Sequence, residues 1–196
     1  MYDEEIKPFR YKICRRKRFE TMITYKKAAK NGIRALSRKL AYLLSDKNSQ
    51  IYKENVTNFG IPDEYVRKAF DEDRLLNAQA SGKSTFYLAL ENACRILGFA
   101  QINKQEGETA ELDRIIIFPE YARKGVGTKL LEKALTDQRK SGIKTVIVNA
   151  GRDEIHARKF YEKNGFQKIG EMNADMPWGT KLALVTYQLD LIDKHQ

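Results

Sequence analysis

Residues 111 to 131 read Glu111-Leu-Asp-Arg-Ile-Ile-Ile-Phe-Pro-Glu-Tyr-Ala-Arg-Lys-Gly-Val-Gly-Thr-Lys-Leu-Leu131, and the rest of the chain can be placed from them. An apolar strand over 110–118 runs into a turn, and Arg123-Lys124-Gly125-Val126-Gly127-Thr128 then opens a helix predicted to reach about Ser141. Its apolar face is Val126, Leu130, Leu131, Ala134 and Leu135; Arg139 and Lys140 lie in its last turn and Gly142 caps it. Unpaired N–H groups at a helix start, aided by the helix dipole, bind anions. Glycines at 125 and 127 remove the Cβ atoms that would hold a pyrophosphate off the backbone. Taken alone, the stretch also fits an ordinary tight strand-to-helix connection.

Working outward, downstream residues predict a strand (145–149), a short helix (155–164), and strands near 166–171 and 182–189. Upstream, Met22 begins a first strand, and Ile33, Leu36, Leu40, Leu43 and Leu44 follow at helical spacing. Pro62 opens a second helix with Tyr65, Val66, Ala69 and Phe70 on one face. Strands at 85–90 and 96–102 flank a hairpin turn at 91–95. Seven strands and about four helices imply a mixed α/β (α+β) domain with a central, partly antiparallel sheet.

Composition narrows the function. The chain has 196 residues, 42% hydrophobic and 32% charged, which fits one folded domain over residues 22–196. Its uncharged apolar runs, such as 115–118, are far short of a membrane span, and no secretory signal is visible. Cys14 and Cys94 form neither a disulfide framework nor a metal-ligand pattern, so a cytoplasmic setting without a metal is expected. The net charge of +10 favours anionic partners, although a Lys-rich proteome would produce the same excess. Residues 1–21 carry seven basic and four acidic side chains with little apolar periodicity. They read as a basic extension, or as the product of a start codon placed before Met22, and any nucleic-acid contact would run through them alone.

A second block, His156-Ala-Arg-Lys-Phe-Tyr161-Glu-Lys-Asn-Gly-Phe166, sets Tyr161 on the short helix. The order strand, G-x-G loop, helix, strand, helix with Tyr-x-x-x-Gly-Phe resembles the GNAT superfamily of acetyl-CoA-dependent N-acetyltransferases, strongly over residues 96–171. The resemblance implies a GNAT-type sheet and direct acetyl transfer from acetyl-CoA to an amine. Ile115, Ile116 and Ile117 would pair with the pantetheine arm, and Arg123, Lys124, Gly125, Val126, Gly127 and Thr128 would hold the pyrophosphate. The family's Arg or Gln three places before the first glycine is Ala122 here, and the Asn seven places before the tyrosine is Glu154.

Acyl transfer to an amine needs a base for the ammonium proton, a donor for the oxyanion and an acid for the leaving thiolate. Glu111 lies at the spacing of the glutamate that some family members use as base; the competing reading is a solvated charge near a strand start. Strand alternation puts Glu111, Asp113, Ile115 and Ile117 on one face. Tyr161 resembles the family's thiolate acid, though it also continues an apolar face. The Ile117 N–H is the candidate oxyanion donor. Cys94 and His156 stand away from the loop and are not expected to act.

For the acceptor, residues 63–73 hold five acids, which suggests a small cationic amine, or simply a solvated helix face. Phe59-Gly-Ile-Pro-Asp-Glu-Tyr65 and Ala110-Glu-Leu-Asp-Arg-Ile-Ile-Ile117 are similar to polyamine acetyltransferases. A protein N-terminus or lysine as acceptor, and a nucleic-acid-binding or regulatory module without catalysis, stay open. A homodimer is compatible with the family.

Overall fold

Seven strands form one sheet in the order β1-β2-β3-β4-β5-β7-β6 in the computed structural model, which describes residues 22–191. They are β1 (Ile23–Lys27), β2 (Ser84–Glu91), β3 (Arg95–Lys104), β4 (Thr109–Ile117), β5 (Thr145–Gly151), β6 (Gln167–Asp175) and β7 (Lys181–Asp190). Every pair is antiparallel except β4–β5. The expected mixed sheet of seven strands is therefore present. The basic extension expected at 1–21 lies outside the described residues.

The helices divide between the two faces of the sheet. On one face, α5 (Val126–Lys140) buries Val126, Leu130, Leu131 and Ala134 against β1 to β4, and α6 (Ile155–Lys163) adds Tyr161. On the other, α1 (Lys30–Ser45) buries Ile33, Leu36, Leu40 and Leu44, joined by Val66 of α3 (Asp63–Ala69) and Leu75 of α4 (Glu72–Ala80). Burial of these two apolar layers, at about 25 cal/mol per Å2, is the main force holding the sheet between them.

There are more helices than the four expected. Between α1 and α3 runs α2 (Gln50–Tyr52), N-capped by the Ser49 hydroxyl, and it continues as a π-helical turn over Lys53–Thr57. Helix α4 is likewise absent from the sequence reading. Its first residues looked like an acidic cluster, but Asp71 caps it, accepting from the N–H groups of Asp73 and Arg74, while Glu72 and Asp73 occupy its first turn. The Pro62 helix turns Val66 and Phe70 inward but leaves Tyr65 exposed, its ring edge-on to Trp178 in the β6–β7 turn at 5.3 Å.

Candidate active site

Strands β4 and β5 pair only over residues 109–111 and 145–147 and then part. Beyond Glu111, β4 keeps β3 on one side and has no ladder partner on the other among the described residues. Phe118 N–H donates to Leu97 O on β3, so by strand alternation the N–H groups of Ile117 and Ile115 point into the gap. Unpaired strand groups of this kind bind an extended, amide-bearing chain as an added strand would.

The gap opens where β3 presses closely on β4. A Cβ on Gly98 would lie 2.5 Å from Ile116 O, so only glycine fits under the edge. At the end of the gap, the turn after β4 places Arg123 at φ 61° and Gly125 at φ 75°, and α5 begins at Val126. The first intrahelical bond across this start is Lys129 N–H to Gly125 O. The N–H groups of Val126, Gly127 and Thr128 are therefore the unsatisfied donors of the helix. No acidic residue lies in that first turn, and Arg123 and Lys124 are exposed beside it. Space for a phosphate at Gly125, donors on the helix and cations at the rim fit a pyrophosphate.

One expectation about the candidate base needs correction. A bulge in β4 at Asp113, where Gln101 pairs with Arg114 but Ile102 pairs with Leu112, reverses the alternation. Ala110 and Leu112 before it and Ile115 and Ile117 after it all face α5, while Ile116 faces α1. Glu111 therefore does not share a face with Ile115 and Ile117. It lies on the opposite side, where its Oε2 accepts from Gln105 Nε2 at 2.8 Å and its Oε1 from Asn149 Nδ2 at 3.3 Å. Asn149 in turn accepts from the Thr186 hydroxyl at 2.8 Å. Asp113 is ion-paired with Arg114, whose guanidinium stacks over Phe70.

Tyr161 is on the α5–α6 side, buried among Phe160, Phe166 and Tyr187. Burial, and then the charge of Glu154, push its hydroxyl far above the usual phenol range. It is a core residue, as its apolar face implied, and its hydroxyl feels the charge of Glu154. Glu111 and Tyr161 thus flank the parting strands from opposite faces.

Sequence reasoning noted Glu154 only as a departure from a motif. Its Oε2 accepts from Gly151 N–H at 2.6 Å at the end of β5. The next N–H, of Arg152, goes to Ala183 on β7, so Gly151 N–H points toward the gap and the carboxyl sits there. Burial, followed by the charge of Glu54 on the π-helical turn, raises the Glu154 pKa, and the Gly151 N–H partly offsets this. Phe59 closes in as well: a Cβ on Gly151 would meet its ring at 3.0 Å. The signal for Glu54 was weak, since Ile51, Tyr52 and Val56 are the only apolar residues between 46 and 58.

The acidic segment is largely spent on structure. Asp63 pairs with Arg67, Asp71 caps α4, and Glu72 pairs with Arg34 and Arg38. Cys94 sits in the β2–β3 turn as expected, and His156 is exposed. Among the described residues, no three His, Cys, Asp or Glu side chains are grouped to hold a metal, and no helix is long and apolar enough to cross a membrane.

Comparison with known proteins agrees with this geometry. The model of the acetyltransferase (GNAT) family matches residues 48–166, more than half of the chain. An uncharacterized N-acetyltransferase of Methanocaldococcus jannaschii is 29% identical over 98 residues, 50% of this chain and 41% of that one. Spermidine N(1)-acetyltransferase of Thermoplasma acidophilum is 29% identical over 106 residues, 53% of this chain. The match spans 65% of that relative's length. The structure of the PaiA N-acetyltransferase of Thermoplasma acidophilum with coenzyme A superposes with a TM-score of 0.57 at 23% identity. That superposition covers 84% of this chain and 98% of the other, and it shows a common fold.

Proposed function

The chain belongs to the acetyltransferase (GNAT) family, and from that premise we propose that it transfers the acetyl group of acetyl-CoA directly to a primary amine of a small cationic acceptor of the polyamine class. The observation that carries this reading is the parted β4–β5 pair ending on the glycine-led start of α5. Acetyl-CoA supplies an activated acetyl thioester. Ile115 and Ile117 offer gap-facing N–H groups to the amide-bearing arm, and residues Arg123 to Thr128 take the pyrophosphate. The Ile117 N–H also meets the negative charge that builds on the acyl oxygen during attack.

Glu111, on the face away from α5, takes the ammonium proton directly or through water. Tyr161, on the other face, returns a proton to the departing sulfur. The bulge thus serves the chemistry, because acceptor and cofactor approach from opposite sides of the parting strands. A cationic acceptor is supported by the carboxyl groups of Glu54 and Glu154 at the gap, with the ring of Phe59 beside them. The similarity to a spermidine acetyltransferase supports the same class.

The test is coenzyme A thiol release from acetyl-CoA with spermidine, spermine, aminoglycosides and N-terminal peptides as acceptors. Turnover with the polyamines is expected. Turnover with peptides alone would replace the small acceptor by a protein, and folded enzyme silent with every acceptor would overturn the reading.

A further inference from the structure

A cavity of about 430 Å3 lies between α4 and the sheet, on the face opposite α5. Arg74, Lys83, Lys104 and Arg114 line it, with Asp113 as the one acidic lining residue, and that carboxylate is already paired with Arg114. Arg74, Lys83 and Lys104 make no ion pair among the described residues. Of the acids before Arg74 in sequence, Asp71 caps α4 and Glu72 pairs with Arg34 and Arg38, and Asp73 does not line the cavity. Glu111 is the cross-strand partner of Asn103 but does not line the cavity; its oxygens face Gln105 and Asn149.

The floor is polar where a sheet packed under helices is ordinarily apolar. Ser84 and Gln101 also line the cavity, and each is more than nine-tenths buried. Burying such groups is costly unless they are bonded. Here the Ser84 hydroxyl donates to Asn103 Oδ1 at 2.7 Å and Gln101 Nε2 donates to the same oxygen at 3.0 Å. Two donors on Oδ1 fix the orientation of the Asn103 amide and leave its NH2 group as the end that can meet a ligand. Buried side chains thus hold an amide donor in place beneath a rim of cations.

We propose that this cavity binds a small oxyanion group, a phosphate or carboxylate, held by Arg74, Lys83 and Lys104 above the oriented amide of Asn103. Charge-assisted bonds of this kind are strong only where no protein carboxylate competes, and the one lining carboxylate is occupied. The site is separate from the pyrophosphate-binding loop, which begins past the far end of β4. Its ligand is a free anion acting beside the amine, since an acceptor of the polyamine class carries no anionic end.

Inorganic phosphate and, separately, succinate are titrated by calorimetry into the full chain and two double variants. Arg74→Gln with Lys83→Gln removes two rim cations; Arg123→Gln with Lys124→Gln removes those of the loop. Saturable binding at one site per chain is expected for the parent and the loop variant, with about tenfold or greater weakening in the rim variant. Thermal unfolding of the rim variant should match the parent, since both changes are at exposed positions. No saturable binding, equal binding by the rim variant, or a loss that follows the loop variant would overturn the proposal. These readouts need no turnover, so they stand or fall apart from the acetyltransferase reading. In the thiol-release assay, an unchanged KM for spermidine at saturating phosphate is the result expected of a free anion, and competition with the amine would contradict it.

Discussion

In the proposed mechanism Glu111 and Tyr161 move protons and Glu154 faces the acceptor, and each sits in surroundings that set what it can do. Glu111 receives two hydrogen bonds and faces the acceptor side, so Glu111→Gln should lower kcat by about 100-fold while coenzyme A affinity, measured by calorimetry, stays unchanged. Tyr161→Phe keeps the ring contacts with Phe166 and Tyr187, so it should lower kcat by about tenfold or more with little change in Tm. Glu154 gives a pH test. A carboxyl whose folded-state pKa is raised stabilises the fold fully only below its unfolded pKa, and that contribution is lost as pH rises through the raised value. Glu154→Gln should therefore raise Tm above the parent near pH 8, and the difference should vanish near about pH 4. A gain that persists at acid pH would mean that the effect is not electrostatic.

At the scale of elements, β3 lies close against β4 at Gly98, on the side away from the free β4 edge. Gly98→Ala should cost about 1–3 kcal/mol in denaturant unfolding, because the added Cβ meets a backbone carbonyl that cannot swing aside. The order of elements from β2 to β7 was legible in the sequence, since each carries its own periodicity and the glycine-led start of α5 punctuates them. The α2 segment with its π-helical turn was not legible, because polar residues dominate it and only Ile51, Tyr52 and Val56 mark an apolar face. Helix α4 was hidden for another reason: its N-terminal acids satisfy a cap and a helix dipole but look the same in sequence as an acidic surface. The bulge at Asp113 was invisible for a third, because alternation is a sound rule until one extra residue is inserted. That single residue moved Glu111 to the other face from the one expected for it.

Across the whole molecule, charge is distributed rather than uniform. The chain carries +10, yet Glu54 and Glu154 stand together at the gap, while cations gather at the start of α5 and around the cavity under α4. The cations at the start of α5 suit a polyanionic cofactor, and the carboxyl groups at the gap suit an ammonium group. The sign of the loop could be read from residues 111–131, but the family needed the block around Tyr161 as well, because the first stretch alone also fits an ordinary strand-to-helix turn. The polar partners of Glu111 could not, because Gln105, Asn149 and Thr186 come together only when three strands pair. The most direct test is calorimetric titration of coenzyme A into the parent and into a variant with Arg123→Glu and Lys124→Glu. Binding at one site per chain that weakens with added salt, and falls by about tenfold or more in the variant, is the expected result. Absent binding by the folded parent, or equal affinity in the variant, would contradict a cofactor held in the β4–β5 gap with its pyrophosphate on α5.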